Sequence, residues 1–420
     1  MASRRIEADV VIVGGRPAGA SLAARLGARG RRVVVIDKAR HPSPPAVPSC
    51  PILYAPAMRL LDELGIAERD YADEGARVSG FGITFEGAFS TVLPVAPALG
   101  RDYAMGVERA GFDALLWRHL SAFPSVDRRE GTSFVGVLRD EGGAVCGVRA
   151  EDAVGPLELR AALSVGADGR FSPFASAVGA GFVEAHDAHQ STAHFADWEG
   201  LRPFLRSGDH LASLCTAGRG LIVLFFPQPR GRTAVVTYVR SDRAAIEGDA
   251  TRFYESQLQR LPDAQRRLSG ATRVGAVSGL RRIANRHREP VGPGWALVGD
   301  ALHHKDPIDG QGIYDALLES KLLDRHADEP ARYREEVLSA TTPMLRATAG
   351  RVKRELFDEP PAFIIRTLIR WTLTDPTYQR RFSDFLTRQE DPRRWPPASL
   401  LGAAALRGLA RDLRGGAATR

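Results

Sequence analysis

Cysteine is nearly missing from this sequence: 420 residues hold three, the widely separated Cys50, Cys146 and Cys215. So few, so spaced, they exclude a disulfide framework and a C-x-x-C metal or redox motif, and they indicate a reducing compartment, with the cytoplasm as default. Long apolar runs are lacking as well. The stretch Leu221 to Phe226 is far too short to cross a bilayer, so stable membrane insertion is not expected. A strand pattern already starts at Ala8, which leaves no room for a signal peptide. Nor is there a basic block. The net charge is +7, but arginines are spread along the whole chain without interleaved aromatics, and nucleic acid is not an expected partner. A basic surface still draws in anionic ligands. His186, His189 and His194 lack both the H-E-x-x-H context and a cysteine set; they read as a solvated loop, and no metal is assigned.

What is present is ordinary in bulk and specific in detail. Apolar content of 44% and charged content of 25% suit a globular protein. The length exceeds the usual single core and predicts two domains or one elaborated α/β domain.

Asp9 to Val13 is a β-branched run, as in a strand covered on both faces. Gly14, Gly15, Arg16, Pro17, Ala18 and Gly19 follow, then a helical pattern from Ala20 to Ala28, and a second buried strand from Arg32 to Ile36. Asp37 closes the unit, 23 residues after Gly14, near the spacing of a ribose-binding carboxylate, with Lys38 beside it. The chemistry of a dinucleotide site explains each position. Gly14 permits the tight turn, Gly19 lets helix and strand approach, and the helix N-terminus offers N–H groups to a pyrophosphate. Pro17 suits the first helical turn, where its missing N–H needs no partner. Arg16 departs from G-x-G-x-x-G by replacing the middle glycine, and its charge is expected to face the pyrophosphate or the adjoining ligand.

Two further segments belong with the first. Ala162 to Ser172 carries Asp168 and Gly169 after alternating strands (Ser133 to Leu138 with Phe134, Ala144 to Ala150, Leu157 to Leu163). Trp295 to Ile313 places Gly299 and Asp300 after a short apolar strand, then Pro307, Gly310, Gln311 and Gly312 at the mouth of a helix reaching about Leu323. Together the three segments resemble the class A flavoprotein hydroxylases, the FAD monooxygenases with the p-hydroxybenzoate hydroxylase fold, across roughly residues 8 to 325.

That resemblance implies an α/β fold: a Rossmann-like FAD-binding domain interleaved with an antiparallel-sheet substrate domain, then a C-terminal helical segment. Its divisions fall at 1–78, 99–180 and 273–328 for the FAD-binding part, 79–98 and 181–272 for the substrate domain, and 329–420 for the helices. It also implies the roles. Gly14 to Gly19 and Asp37 would hold the ADP half of FAD, and Arg109, at the start of R-A-G-F-D-A-L-L-W, would touch FAD. Gly299 and Asp300 would bind the ribityl chain. Pro307, Gly310, Gln311 and Gly312 would line the isoalloxazine. The arginine that often follows the D-G motif is missing, Ala175 or Ser176 standing near its place. His304 is the candidate proton-transfer group, since an imidazole titrates near neutrality; a hydrogen bond to the ribityl or phosphates is the alternative.

The implied activity is NAD(P)H- and O2-dependent oxygenation of an aromatic or activated small molecule through a flavin C4a-hydroperoxide. A reductase or dehydrogenase of an unsaturated substrate, similar to the geranylgeranyl reductases, is the alternative, and a flavin halogenase a further one. In the substrate half, Leu211–Thr216, Leu221–Phe226 and Ala234–Val239 predict an antiparallel meander that joins Ser79 to Leu93. Phe81, Phe85, Phe195, Leu214, Phe226 and Tyr238 are its candidate wall residues. Helices are expected over Ala331–Ala340, Pro343–Phe357, Ala362–Thr372 and Gln379–Arg388, with a frayed peripheral helix from Leu400.

Overall fold

In the computed structural model, residues 4–205, 210–244 and 249–417 are described. A six-stranded sheet organises the nucleotide half. Its order is Val291–Gly292, Trp295–Leu297, Leu163–Gly166, Val10–Val13, Val33–Asp37, Val126–Glu130, and all but the first strand run parallel. Val10–Val13 and Val33–Asp37 are buried at every position, as β-branched runs covered on both faces are. The helix between them, Pro17–Ala28, starts with Pro17 in the first turn. Adjacent parallel strands carry their carboxyl ends to one edge, and in α/β sheets that edge holds the ligand crevice. Here it gathers Gly14, Ala167–Asp168 and Val298–Asp300, from segments more than a hundred residues apart. Backbone bonds hold them together there: Gly14 N–H to Ile36 O (2.8 Å), Ala167 N–H to Val13 O (2.8 Å) and Val298 N–H to Gly166 O (2.9 Å).

A four-stranded sheet flanks this layer, ordered Arg4–Glu7, Gly155–Arg160, Val145–Asp152, Ser133–Arg139. The second large sheet has eight strands, in the order His303–His304, Thr272–Arg288, Phe182–Glu199, Arg232–Arg240, Leu221–Pro227, Leu211–Thr216, Gly80–Phe85, Phe89–Pro94. Leu211–Thr216, Leu221–Pro227 and Arg232–Arg240 form the expected meander. The join to the Gly80–Phe85 hairpin is parallel instead, because segments so distant in sequence carry no turn that dictates direction. The three histidines, expected in a solvated loop, lie on the strand Phe182–Glu199. Its partners on both sides bury His194 against Phe253, and His186 meets Glu184 at 2.7 Å.

The helical region also differs from expectation. Pro330–Val352 is one helix running through Pro343. Tyr333, Val337, Thr341, Met344, Leu345, Thr348 and Val352 are buried at helical spacing, and that packing outweighs the roughly 3 kcal/mol cost of an interior proline. Residues 362–373 are helical, followed by Pro376–Leu386 and Ala398–Ala417; residues 418–420 of the expected tail lie outside the described residues. Among the described residues no helix is long and apolar enough to cross a membrane.

Candidate cofactor cavity

A cavity of about 530 Å3 opens at the carboxyl edge of the parallel sheet. Its wall includes Gly14, Arg16, Pro17, Ala18, Asp37, Lys38, Arg109, Phe134, Asp168, Gly299, Asp300, Pro307, Gly310 and Gly312. The size lies within the range of pockets for drug-sized ligands and cofactors. Gly15, Gly19, Gln311 and His304 stand outside that wall.

The turn after the first strand is built for close approach. Gly14 has φ +106°, and a Cβ there would lie 2.4 Å from Ala167 O; a Cβ on Gly19 would lie 1.7 Å from Gly14 O. Only glycine fits either position. Asp37 fixes the turn from below: its carboxylate accepts Gly15 N–H and Ala39 N–H, both at 2.8 Å. Burial works against its charge, yet His41 and those two N–H groups hold it below the usual carboxylate range. Two helices end at the cavity, Pro17–Ala28 and Gly312–Arg325, and neither has a side chain capping its N-terminus. Their free N–H groups and dipoles favour negative charge in the space between them.

Arg16 makes different contacts from those its position suggested. Its guanidinium donates to Asp113 Oδ2 (2.6 Å), Ser43 O (3.1 Å), Ser43 Oγ (3.1 Å) and Pro44 O (3.1 Å). Arg109 shares Asp113, at 3.1 Å to each oxygen, and bonds Ser49 Oγ. Two arginines on one buried aspartate thus strap the segment 43–49 across the cavity, and Pro45 to Cys50 form part of its wall. The sequence offers no periodic signal for that strap. Asp168 accepts Phe174 N–H (3.0 Å) and Ser172 Oγ–H (2.5 Å) at the start of the short helix Pro173–Val178, whose N-cap is Ser172, and burial raises its pKa. Gln311 turns away from the cavity, with its amide donating to Leu386 O at 2.8 Å.

His304 does not sit where a proton-transfer group toward the cavity would. It packs edge-on against Phe182 (6.3 Å), and burial, with Arg170 and Arg288 nearby, pushes its pKa down to about 3. Its neighbour His303 is a wall residue, but its side chain is fully buried against Glu319 and His287. Arg170, Lys305 and Asp306 also reach the wall. Arg170 bonds Lys305 O at 2.7 Å. Lys305 pairs with Asp315, and burial lowers its pKa to about 7; burial raises that of Asp306 to about 6. Arg170 follows Asp168 and Gly169 directly, so an arginine beside the D-G motif was in plain sight.

The aromatic residues expected to wall a substrate site do something else. Phe195, Phe226 and Tyr238, with Phe81 and Leu214 against them, form a core with Met344, Leu356 and Phe385 of the helical region, and Phe85 stacks on Phe89. None of the six lines the cavity.

The cavity fits FAD on this geometry. The glycine turn a Cβ would fill, two uncapped helix ends, a carboxylate beside the turn and Asp300 at the next strand end supply the donors and acceptors a dinucleotide needs. The model of the FAD binding domain family matches residues 7–323. Squalene epoxidase erg1 of Schizosaccharomyces pombe is 28% identical over 334 residues, 76% of this chain and 69% of its own. Menaquinone reductase of Mycolicibacterium smegmatis is 29% identical over 326 residues, 73% of each chain. The flavin-dependent brominase Bmp2 superposes with a TM-score of 0.66 at 20% identity, over 95% of this chain and 94% of its own, a likeness of fold.

Proposed function

The chain belongs to the FAD-binding domain family, and from that premise we propose that it is an NAD(P)H-dependent monooxygenase of a small aromatic or otherwise activated molecule. In the balanced reaction, NAD(P)H, a proton, O2 and substrate give oxygenated substrate, NAD(P)+ and water. Bound FAD supplies the redox chemistry and oxygen activation. The chain's own residues bind, orient and exclude water. Gly14, Asp37 and the end of helix Pro17–Ala28 would take the ADP half. Asp300 would accept ribityl hydroxyl hydrogens, and the end of helix Gly312–Arg325 would face the ring system.

One observation carries the reading: a single cavity combines this polar cradle with the apolar segment Pro45–Pro48. Such a chamber keeps water from a substrate beside the cofactor. Two of the similar proteins set the alternatives, since one is by name an epoxidase and the other a quinone reductase. The second supports the competing reading, a reductase or dehydrogenase of an unsaturated substrate. Three free cysteines agree with work in a reducing, cytoplasmic compartment.

The protein should purify yellow with FAD. With NADPH or NADH it should consume O2 and, lacking substrate, release peroxide in equal amount. With a substrate found by screening, peroxide should fall as a product one oxygen heavier appears. Anaerobic turnover of naphthoquinone by reduced holoprotein that ignores O2 would replace this reading with the reductase one.

A further inference from the structure

The helix Ala398–Ala417 is apolar on two opposite sides. Inward, Leu400, Ala404 and Gly408 recur every fourth residue and are buried, and a Cβ on Gly408 would lie 2.2 Å from Trp371 Cβ. Outward, Gly402, Leu406, Leu409, Ala410 and Leu413 follow helical spacing and are all exposed, Leu406 to 70% and Leu413 to 68%. No charged residue interrupts that stripe. In the helical segment 362–373, joined to this helix through the bonds of Arg370 and Trp371 to Asp412, Phe363 and Leu368 are exposed too. A surface helix ordinarily keeps its solvent side polar, so an apolar stripe left in water marks a contact surface.

We propose that helix Ala398–Ala417 docks the protein on the surface of an anionic phospholipid bilayer, its leucines at the acyl boundary and its arginines among the headgroups. The charge around the stripe fits such a surface. The two helical segments hold Arg366, Arg370, Arg407, Arg411 and Arg414 against a single carboxylate, Asp412. Arg370 takes Asp412, and Arg407 takes Asp375. Arg366, Arg411 and Arg414 form no ion pair among the described residues; the first two donate to neutral oxygens of Gly87, Trp371 and Thr374. Arg414, one turn beyond Ala410, borders the stripe, and a long arginine stem carries its charge from the flank to the headgroups. Uncompensated positive charge is attracted to an anionic leaflet, whereas between two copies of this chain it would repel. Three leucines and two small residues also offer far less than the roughly 800 Å2 per partner of a stable protein interface. The helix would lie in the interface without spanning it. Docking of this kind is independent of whether bound FAD oxygenates or reduces.

Co-sedimentation of the full-length holoprotein with vesicles tests it, using equal parts phosphatidylglycerol and phosphatidylcholine against phosphatidylcholine alone. Binding should be at least about tenfold tighter to the anionic vesicles and should weaken at high salt. The double variant Leu406→Gln, Leu413→Gln should lose about tenfold or more, with flavin absorbance and circular dichroism unchanged because both side chains are exposed. Arg414→Gln, which leaves the stripe intact, should lose about fivefold, the worth of one arginine near the surface. Absence of binding, or equal binding to both vesicles, overturns the proposal. So does full binding by the double variant, which would put the contact elsewhere on the molecule. Light scattering of the parent supplies the last outcome: a dimer that the double variant dissolves would mean a second copy covers the stripe, and the lipid reading fails. Should the double variant misfold, Arg414→Gln and the two vesicle compositions decide.

Discussion

Replacing Arg16 by glycine would restore the common dinucleotide-loop pattern, yet the geometry predicts a loss. Arg16 has φ −85° and ψ −168°, an extended conformation open to any residue, so glycine relieves no strain. What disappears is the strap. The bond to fully buried Asp113 is charge-assisted and worth about 1.5–3 kcal/mol. The lower end applies, since Arg109 stays on Asp113 and no unpaired charge is left. The three bonds to Ser43 and Pro44 are part-exposed and add about 0.5 kcal/mol each. Arg16→Gly should therefore weaken closure of segment 43–49 by about 3 kcal/mol, roughly a hundredfold in the closed-to-open ratio. FAD titrated into apoprotein should show a Kd raised ten- to a hundredfold, and limited proteolysis should cut within 43–49 faster. Because Asp113 is buried, the deficit should persist at high salt. Unchanged affinity with unchanged cleavage would refute the strap. A deficit that salt erases would mean the guanidinium acts on the phosphates through solvent instead.

Asp306 gives a pH dependence. Its folded pKa, raised to about 6 by burial, exceeds the usual unfolded value of about 3.9, so its stabilising contribution is full below pH 4 and is lost as pH rises through 6. Asp306→Asn should remove that slope: relative to the parent it should gain about 2 kcal/mol between pH 4 and pH 7, read from denaturant midpoints. A parallel pair of profiles would show that Asp306 is ionised throughout. His304→Gln should leave the pH profile of NAD(P)H oxidation unchanged between pH 6 and 8, because a ring with its pKa near 3 does not titrate there; a flattened profile would return His304 to a proton-transfer role. Asp300→Ala should raise the FAD Kd five- to a hundredfold, the loss of a buried acceptor worth about 1–3 kcal/mol, in the same apoprotein titration.

The sequence by itself determined the parallel sheet and the three strand ends that meet in the cavity. The reason is local: β-branched runs such as Val10–Val13 can only be covered strands, and glycines at Gly14 and Gly19 mark positions where a Cβ would collide with backbone. Once those strands are parallel neighbours, their carboxyl ends must share an edge. Side-chain direction at that edge was not legible. His303 belongs to the cavity wall and His304 does not, although both are buried, and nothing in the dipeptide says which. The partners of Arg16, Ser43 and Asp113, lie 27 and 97 residues away, and an arginine at a glycine position reads the same whether it meets a phosphate or an aspartate. The meander aromatics likewise alternate as strand residues whether they face a substrate or the helices that cover them. Those choices belong to long-range packing, in which each side chain's environment is assembled from segments that no window of sequence contains.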